Sequence, residues 1–228
     1  MPIPDFANEA IFPAFDGLPI EDAGAADPPS YAASSEPPSY VPPPPPDPPS
    51  AVAPKPSSHD AREEWFLVAE VKQNMTITKP TLVVVDRGGT EFAVTFEDRG
   101  IDLRPVRQGW TIVVPRAVRT APKGGKRGFV RVPEGRGTGV KYVPGGLEKI
   151  GEVGARARGG DGDGDGGRGF RGRCAGCGKG EGADGGALKS CTACGVARYC
   201  GKECQKDDWK THKNDCKVLK GMVNAWGI

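Results

Sequence analysis

Short apolar segments rich in β-branched and aromatic residues recur between residues 61 and 150, and segments containing Gly or Pro separate them. Each apolar segment has the length of a strand, so the pattern predicts a β domain over residues 61–150. The sequence Asp86–Gly89 predicts a hairpin turn between two of these strands. Five or six strands in this length predict a small antiparallel barrel or sandwich. The predicted strands are Trp65–Val71, Thr81–Val85, Thr90–Phe96, Trp110–Val114 and Gly128–Val132.

The apolar residues that follow Cys216 have a different period. They recur at the spacing of one helix face, which predicts a helical tail over residues 217–228. Gly221 lies inside this stretch and lowers its intrinsic helix stability by up to ~1 kcal/mol. An apolar stripe of this kind is typical of a helix that packs against its own domain. The residues of the stripe are Val218, Leu219, Met222, Val223 and Trp226.

Residues 1–60 follow neither period. Of the 23 prolines, 17 lie within residues 1–56, and residues 1–54 contain eight acidic residues and no Lys or Arg. Such a segment buries too little apolar surface to fold alone, so we predict a disordered, acidic, proline-rich arm over residues 1–60. Apolar residues among the first acids indicate either an interaction segment or a solvated tail. They are Phe6, Ile11, Phe12, Phe15, Leu18 and Ile20.

Two P-P-x-Y sequences lie in this arm, nine residues apart. The pattern resembles the ligand of WW domains, which bind a polyproline II turn in an aromatic groove. A run of prolines at residues 42–46 follows and suits SH3-like grooves. WW or SH3 domains are therefore the expected partners of the arm, and the alternative is a stiff linker. The residues of the two motifs are Pro28, Pro29, Tyr31, Pro37, Pro38 and Tyr40.

The second half of the predicted β domain is strongly basic. Residues 99–141 contain 11 Lys and Arg against two acidic residues, with Trp110 and Phe129 among them. A basic β domain with aromatic residues is one way to bind RNA or single-stranded nucleic acid, and the alternative is a solvated basic surface. Residues 151–173, rich in Gly, Arg and Asp, read as a linker whose Arg-Gly part could contribute weak RNA contacts.

All seven cysteines lie in the last quarter of the chain, with one histidine between the last two. Eight such ligands make two tetrahedral zinc sites, so we predict two Zn²⁺ in a small module over residues 174–216 that can fold on its metal. Two pairs have C-x2-C spacing. The other two pairs, Cys200 with Cys204 and His212 with Cys216, are four positions apart, so on a helix each pair lies on one face and can offer two ligands to one ion. The spacing is compatible with sequential or interleaved pairing. The ligands are Cys174, Cys177, Cys191, Cys194, Cys200, Cys204, His212 and Cys216.

The stretch from Tyr199 to Cys216, YCGKECQKDDWKTHKNDC, together with the upstream cysteine pairs, resembles a MYND-type zinc finger of the α+β class. The resemblance implies interleaved sites. It also implies that Gln205 and Trp209 contact a short proline-containing peptide, although Trp209 could equally pack on the helical part of the finger. The first site would be formed by Cys174, Cys177, Cys200 and Cys204, and the second by Cys191, Cys194, His212 and Cys216.

Several other classes of protein are disfavoured. The odd cysteine count and the absence of a signal-peptide pattern argue against a secreted disulfide protein, and zinc thiolates indicate the nucleus or the cytoplasm. No apolar run has the ~18 residues of a membrane span, so we expect no membrane association. The ligands use every cysteine and His212, which leaves little for catalysis. We therefore expect a non-enzymatic adaptor for proline-containing partners, with transcriptional co-regulation suggested by the resemblance and nucleic-acid binding as the alternative.

Overall fold

The computed structural model describes residues 4–21, 64–158, 172–180 and 186–227. The two P-P-x-Y motifs and most of the predicted linker lie outside these residues. The strands are β1 Phe66–Asn74, β2 Thr81–Asp86, β3 Glu91–Phe96, β4 Thr111–Pro115, β5 Val130–Val132, β6 Lys141–Val143, β7 Lys189–Ser190 and β8 Arg198–Tyr199. The helices are α1 Leu147–Arg158 and α2 Lys202–Trp226.

Strands β1 to β6 form one curled half-barrel sheet in the order β5-β3-β2-β1-β4-β6. Every neighbouring pair is antiparallel except β3 and β5, which run parallel. The described residues show no pairing between the edge strands β5 and β6. The predicted small β domain is therefore present, but it is neither a closed barrel nor a two-sheet sandwich. Two helices, rather than a second sheet, cover one of its faces.

The burial of the strands follows from these two faces. In β2 and β3, buried residues alternate with half-buried or exposed ones, because only one face of those strands meets an apolar core. In β4, the first four residues are all buried. Ile112 and Val114 face the core shared with β2 and β3, while Val113 faces a second core shared with the helices. The continuous apolar sequence of β4 thus reflects burial on both sides.

The N-terminal segment, residues 4–21, packs on the sheet, so the prediction of disorder is wrong for this part of the arm. Phe12, Phe15 and Leu18 are buried. The backbone N–H of Phe15 donates to Oδ2 of the buried Asp86 at 2.7 Å. Burying each large apolar side chain contributes about 1.5–3 kcal/mol. The sheet therefore supplies the apolar contacts that an isolated acidic segment lacks.

Helix α1 occupies the end of the predicted β domain and the start of the predicted linker. Ile150, Val153 and Ala157 are buried at a spacing of three and four residues, which places them on one helix face. This face belongs to the same core as the apolar residues of α2. The predicted boundary at residue 150 therefore falls inside a helix that joins the sheet to the C-terminal module.

Helix α2 is continuous through the end of the predicted zinc module and through the predicted helical tail. At Gly221 it approaches β6 so closely that a Cβ atom would lie 2.9 Å from Cγ1 of Val143. The glycine that weakens the helix locally is thus the residue that allows this contact. Helix α2 ends at Trp226 and is capped by Gly227, whose φ of 63° is left-handed. Neither helix of the described residues has the length and apolar composition that crossing a bilayer requires.

Candidate metal centre

The two C-x2-C pairs adopt the same local turn. In the first, the N–H of Gly178 donates to the carbonyl of Cys174 at 2.8 Å, and in the second the N–H of Gly195 donates to the carbonyl of Cys191 at 2.8 Å. Both glycines have positive φ, 78° and 73°. A glycine directly after the second cysteine closes each turn without steric cost, because it has no Cβ. This arrangement brings both sulfurs of a pair to one side.

The first cluster contains Cys174, Cys177, Cys200 and Cys204, whose sulfur atoms all lie within 4.8 Å of one another. The sulfurs of Cys177 and Cys200 are 3.5 Å apart. Four thiolates at ~2.3 Å from one zinc would be separated by about 3.8 Å, so the spacing suits a tetrahedral Cys₄ site. Cys204 lies in the first turn of α2, whereas Cys200 precedes the helix. Of this predicted helical pair, only Cys204 therefore lies in a helix.

The second cluster contains Cys191, Cys194, His212 and Cys216, and all four residues are buried. The sulfurs of Cys191 and Cys216 are 3.9 Å apart, and the Cys194 sulfur is 3.7 Å from Nε2 of His212. These separations suit a tetrahedral Cys₃His site. His212 and Cys216 are one turn apart on α2 and offer two ligands from one helix face. The structure therefore has the interleaved arrangement, and its two clusters fit two zinc ions.

The ionisation of the sulfurs explains why these clusters require a cation. Burial acts to raise the pKa of Cys174, but hydrogen bonds from the backbone N–H groups of Cys177 and Cys200 lower it to about 6. Hydrogen bonding to the Cys177 sulfur raises the pKa of Cys200 to about 11, and hydrogen bonding to the Cys174 sulfur raises the pKa of Cys204 to about 12. Four adjacent thiolates are thus unfavourable without a bound cation, and Zn²⁺ supplies that positive charge.

Burial lowers the pKa of His212, against the opposing effect of Asp208 and Asp215. The lowered pKa favours the neutral imidazole, which is the form that binds zinc. Each cluster offers four protein ligands and leaves no coordination position for water, as in structural zinc sites.

A buried acidic residue beside the second cluster was not found by sequence reasoning. Asp215 precedes the ligand Cys216 and is 3% exposed. Its carboxylate pairs with Arg156, and also with Lys149 at 3.1 Å, and both cations lie on α1. These contacts fix α1 against the zinc-binding part of α2. No local pattern reports them, because the partners are 59 and 66 positions apart in the chain.

The residues that the resemblance assigned to peptide binding lie on the exposed side of α2. Trp209 is 42% exposed, and its ring centroid is 6.0 Å from that of His212. Gln205 is half-buried one turn earlier, so the two residues share a helix face. The structure therefore places Trp209 beside the second cluster, and Gln205 one turn away from it, next to the first-cluster ligand Cys204.

Comparison with known proteins finds a MYND finger at residues 174–216. The relatives include histone-lysine N-methyltransferase ASHR1 of Arabidopsis thaliana, 49% identical over 47 residues, which are 21% of this chain and 9% of that protein. Histone-lysine N-methyltransferase SMYD3 of Homo sapiens is 52% identical over 33 residues, 14% of this chain and 8% of that protein.

Dauer abnormal formation protein 25 of Caenorhabditis elegans is 57% identical over 35 residues, 15% of this chain and 9% of that protein. The chain thus spans less than a tenth of the length of each of these relatives. The likeness to them is confined to the finger. Residues 174–216 of this chain are therefore a MYND-type zinc finger with two zinc sites.

Proposed function

We propose that this protein is a non-enzymatic adaptor whose MYND finger binds proline-containing peptides. The observation that carries the proposal is the exposed face of Trp209 beside the second zinc cluster. Because this large aromatic side chain is 42% exposed, much of its apolar surface remains available for contact with a partner. Such residues are enriched among those that dominate the binding energy of interfaces.

The surroundings of Trp209 suit a short peptide. Gln205 on the same helix face carries an amide that can both donate to and accept from a peptide backbone. Trp209 lies against His212, and the position of His212 is fixed because it is one of the four buried ligands of the second cluster. A fixed aromatic surface with an adjacent amide favours a rigid, extended ligand, and proline-containing segments have this property.

The net charge of residues 174–228, the finger together with the rest of its helix, favours short-range recognition. Residues 174–228 contain nine Lys and Arg and six Asp and Glu. Two Zn²⁺ and seven thiolates add three negative charges, so the loaded module is close to neutral. A neutral surface gives little long-range attraction for a polyanion, and its affinity must come from contact.

The adaptor role does not require an active site. Both zinc sites are filled by four protein ligands, and the only histidine of the finger is one of them. Two of the relatives named above are histone-lysine N-methyltransferases, but the segment shared with them is the finger alone. We propose further that Pro28, Pro29 and Tyr31, with the second motif at residues 37–40, recruit WW domains, and that the proline run at residues 42–46 recruits SH3 domains, in the nucleus or the cytoplasm.

The test is an array of proline-rich peptides probed with the zinc-loaded full chain. Trp209→Ala should lose selected peptides by about 30-fold, the equivalent of a hot-spot residue, and should keep two zinc ions and its melting temperature. Gln205→Ala should lose less, because one amide contributes about one hydrogen bond.

Ile77→Ala is a matched control, because Ile77 is also an exposed apolar residue, 88% exposed, but lies in the loop between β1 and β2. This variant should bind the same peptides as the wild type. If Trp209→Ala and Ile77→Ala bind the array equally well, the assignment of the peptide site is wrong.

A further inference from the structure

A two-stranded ribbon, here named the basic hairpin (residues 119–130), extends from the sheet between β4 and β5. Arg119 bridges Val130, and the N–H of Thr120 donates to the carbonyl of Phe129 at 2.8 Å. Lys123 and Lys126 exchange two backbone hydrogen bonds of 3.2 and 3.1 Å. These pairs continue the ribbon to its tip.

The turn of the basic hairpin is well defined. Gly124 and Gly125 both have positive φ, 60° and 71°, as the two central residues of a type I′ turn require. Gly128 closes the two strands tightly, since a Cβ there would lie 2.0 Å from the carbonyl oxygen of Thr120. The backbone of the ribbon therefore has a defined turn at its tip.

The charges at the base of the hairpin are used within the fold. Arg131 lies 3.6 Å from a carboxylate oxygen of Glu21 and 3.7 Å from one of Glu97. The guanidinium of Arg119 donates to the carbonyls of Leu18 and Asp16 at 3.3 Å. These cations hold the N-terminal segment and contribute to the fold.

The tip is different. All seven residues from 121 to 127 are exposed, and they include Lys123, Lys126 and Arg127. Within the described residues, none of these three cations forms an ion pair. In the described part of the chain, these three cations therefore have no structural role that would explain their position at the end of the ribbon.

The positive surface continues beside the hairpin. A cleft of about 340 Å³ lies between the end of β4, β5 and the loop of residues 133–140. Arg116, Arg131 and Arg136 line this cleft, and no acidic residue does. Arg116 and Arg136 are exposed. With the three cations of the tip, this gives five exposed cations in the hairpin and around the cleft at its base.

We infer that the basic hairpin binds the phosphate backbone of duplex DNA, with the ribbon in the major groove. Phosphate contacts are made mainly by Arg and Lys, and the major groove of B-DNA admits a two-stranded β-ribbon. An acidic protein is a weaker match, because the exposed tip has no aromatic or large aliphatic residue to anchor a protein interface.

Single-stranded nucleic acid is also a weaker match. Its binding normally uses aromatic side chains on which bases stack. Phe129 is half-buried, and the guanidinium of Arg131 covers its ring at 5.8 Å from the centroid. Trp110 is also half-buried. The hairpin therefore offers charge without a stacking surface, and the major groove of duplex RNA is too narrow for the ribbon.

The test measures binding of the full chain to a labelled 20-base-pair DNA duplex between 50 and 200 mM salt. Five phosphate contacts predict that wild-type affinity falls about 500-fold over this range. The variant with Lys123→Gln, Lys126→Gln and Arg127→Gln keeps two contacts, so its affinity should be weaker at 50 mM salt and should fall only about 12-fold.

The matched control changes three exposed lysines of α2, as Lys202→Gln, Lys217→Gln and Lys220→Gln, and loses the same net charge. Its salt dependence should equal that of the wild type. Equal salt dependence in the two triple variants would overturn the inference. Tighter binding of the single strand, of duplex RNA or of poly-glutamate than of duplex DNA would overturn the assignment of the ligand. The test is independent of the peptide array, because Trp209 lies on a different element.

Discussion

The two halves of helix α2 are held by different forces. The first half, Lys202 to Cys216, is mostly exposed and is fixed by three zinc ligands, Cys204, His212 and Cys216. The second half buries an apolar stripe against the sheet and α1. The buried residues of that half are Val218, Leu219, Gly221, Met222 and Trp226.

The comparison shows that the finger is not a separate unit. Trp226 packs against Phe6, Phe12 and Phe66, with ring centroids 5.3, 6.2 and 6.3 Å away. These three rings belong to the N-terminal segment and to β1. One helix therefore passes from a part held by metal to a part held by apolar burial. The helix that carries three of the zinc ligands therefore continues into the core that it shares with the sheet.

Removal of zinc should separate the two halves, and we expect this to be the largest effect. A structural zinc ion contributes on the order of 10 kcal/mol of folding free energy, whereas apolar burial does not depend on it. After chelation, amide hydrogen exchange should show lost protection in residues 174–216, and retained protection in β1 to β4 and in residues 218–226. Cys191→Ser should reduce the zinc content measured by mass spectrometry.

The contrary result would be a uniform rise in exchange across the finger and the sheet. It would mean that the second half of α2 also depends on the metal. Addition of zinc after chelation should restore protection in the wild type and serves as the control for irreversible damage.

Gly221→Val should act on the second half alone. A side chain at this position would collide with Val143 of β6 and with Pro144, which follows it, and overpacking of this kind costs about 1–3 kcal/mol. Denaturant unfolding should show the loss, while the zinc content stays at two per chain. Gly151→Val is the matched control, because a Cβ at that position of α1 meets nothing within 4 Å. It should change the free energy of unfolding by no more than about 0.5 kcal/mol.

Asp215→Asn should have the smallest effect, and it tests the contact that joins α1 to the first half. The substitution keeps the shape of the side chain but removes the charge that Arg156 and Lys149 contact. Hydrogen bonds between charged groups contribute about 1.5–3 kcal/mol, and the partial exposure of both cations places this pair at the lower end. Thermal unfolding at low and at high salt measures it. Equal stability of the variant and the wild type would show that the contact is incidental.

The sequence predicts strands well where apolar residues fill the interior of the sheet. The segment Thr81–Val85 corresponds to β2, and the segment Trp110–Val114 to β4, within one residue at each end. Strand β6 was missed, because it has three residues and only Val143 is buried. Helix α1 was missed because Gly151 and Gly154 interrupt its apolar spacing. Gly154 is required by the fold, since Phe6 occupies the space that a Cβ would need.

For the two zinc sites, the sequence predicts the ligands more completely than their pairing. The eight ligands follow from their spacing, but spacing alone left the pairing open, because a ligand set is decided by how the turns fold together. The apolar residues Phe12 and Phe15 indicated either an interaction segment or a solvated tail, and the sequence could not decide between these, since their burial depends on contacts with distant strands. The same reason hides the contact of Asp215 with α1.

Because the ligands and the apolar stripe share one rigid helix, their relative rotation about its axis is fixed. Each added residue turns the rest of an α-helix by about 100°. One extra residue between Cys216 and Val218 would direct either the imidazole and thiolate away from the metal or the stripe away from the sheet. An insertion of seven residues would nearly restore the angle. Natural variation in the length of this helix should therefore be rare. A different finger can be grafted onto this sheet only if its last ligand lies at the same angle about the helix axis, relative to the apolar stripe, as Cys216 does here.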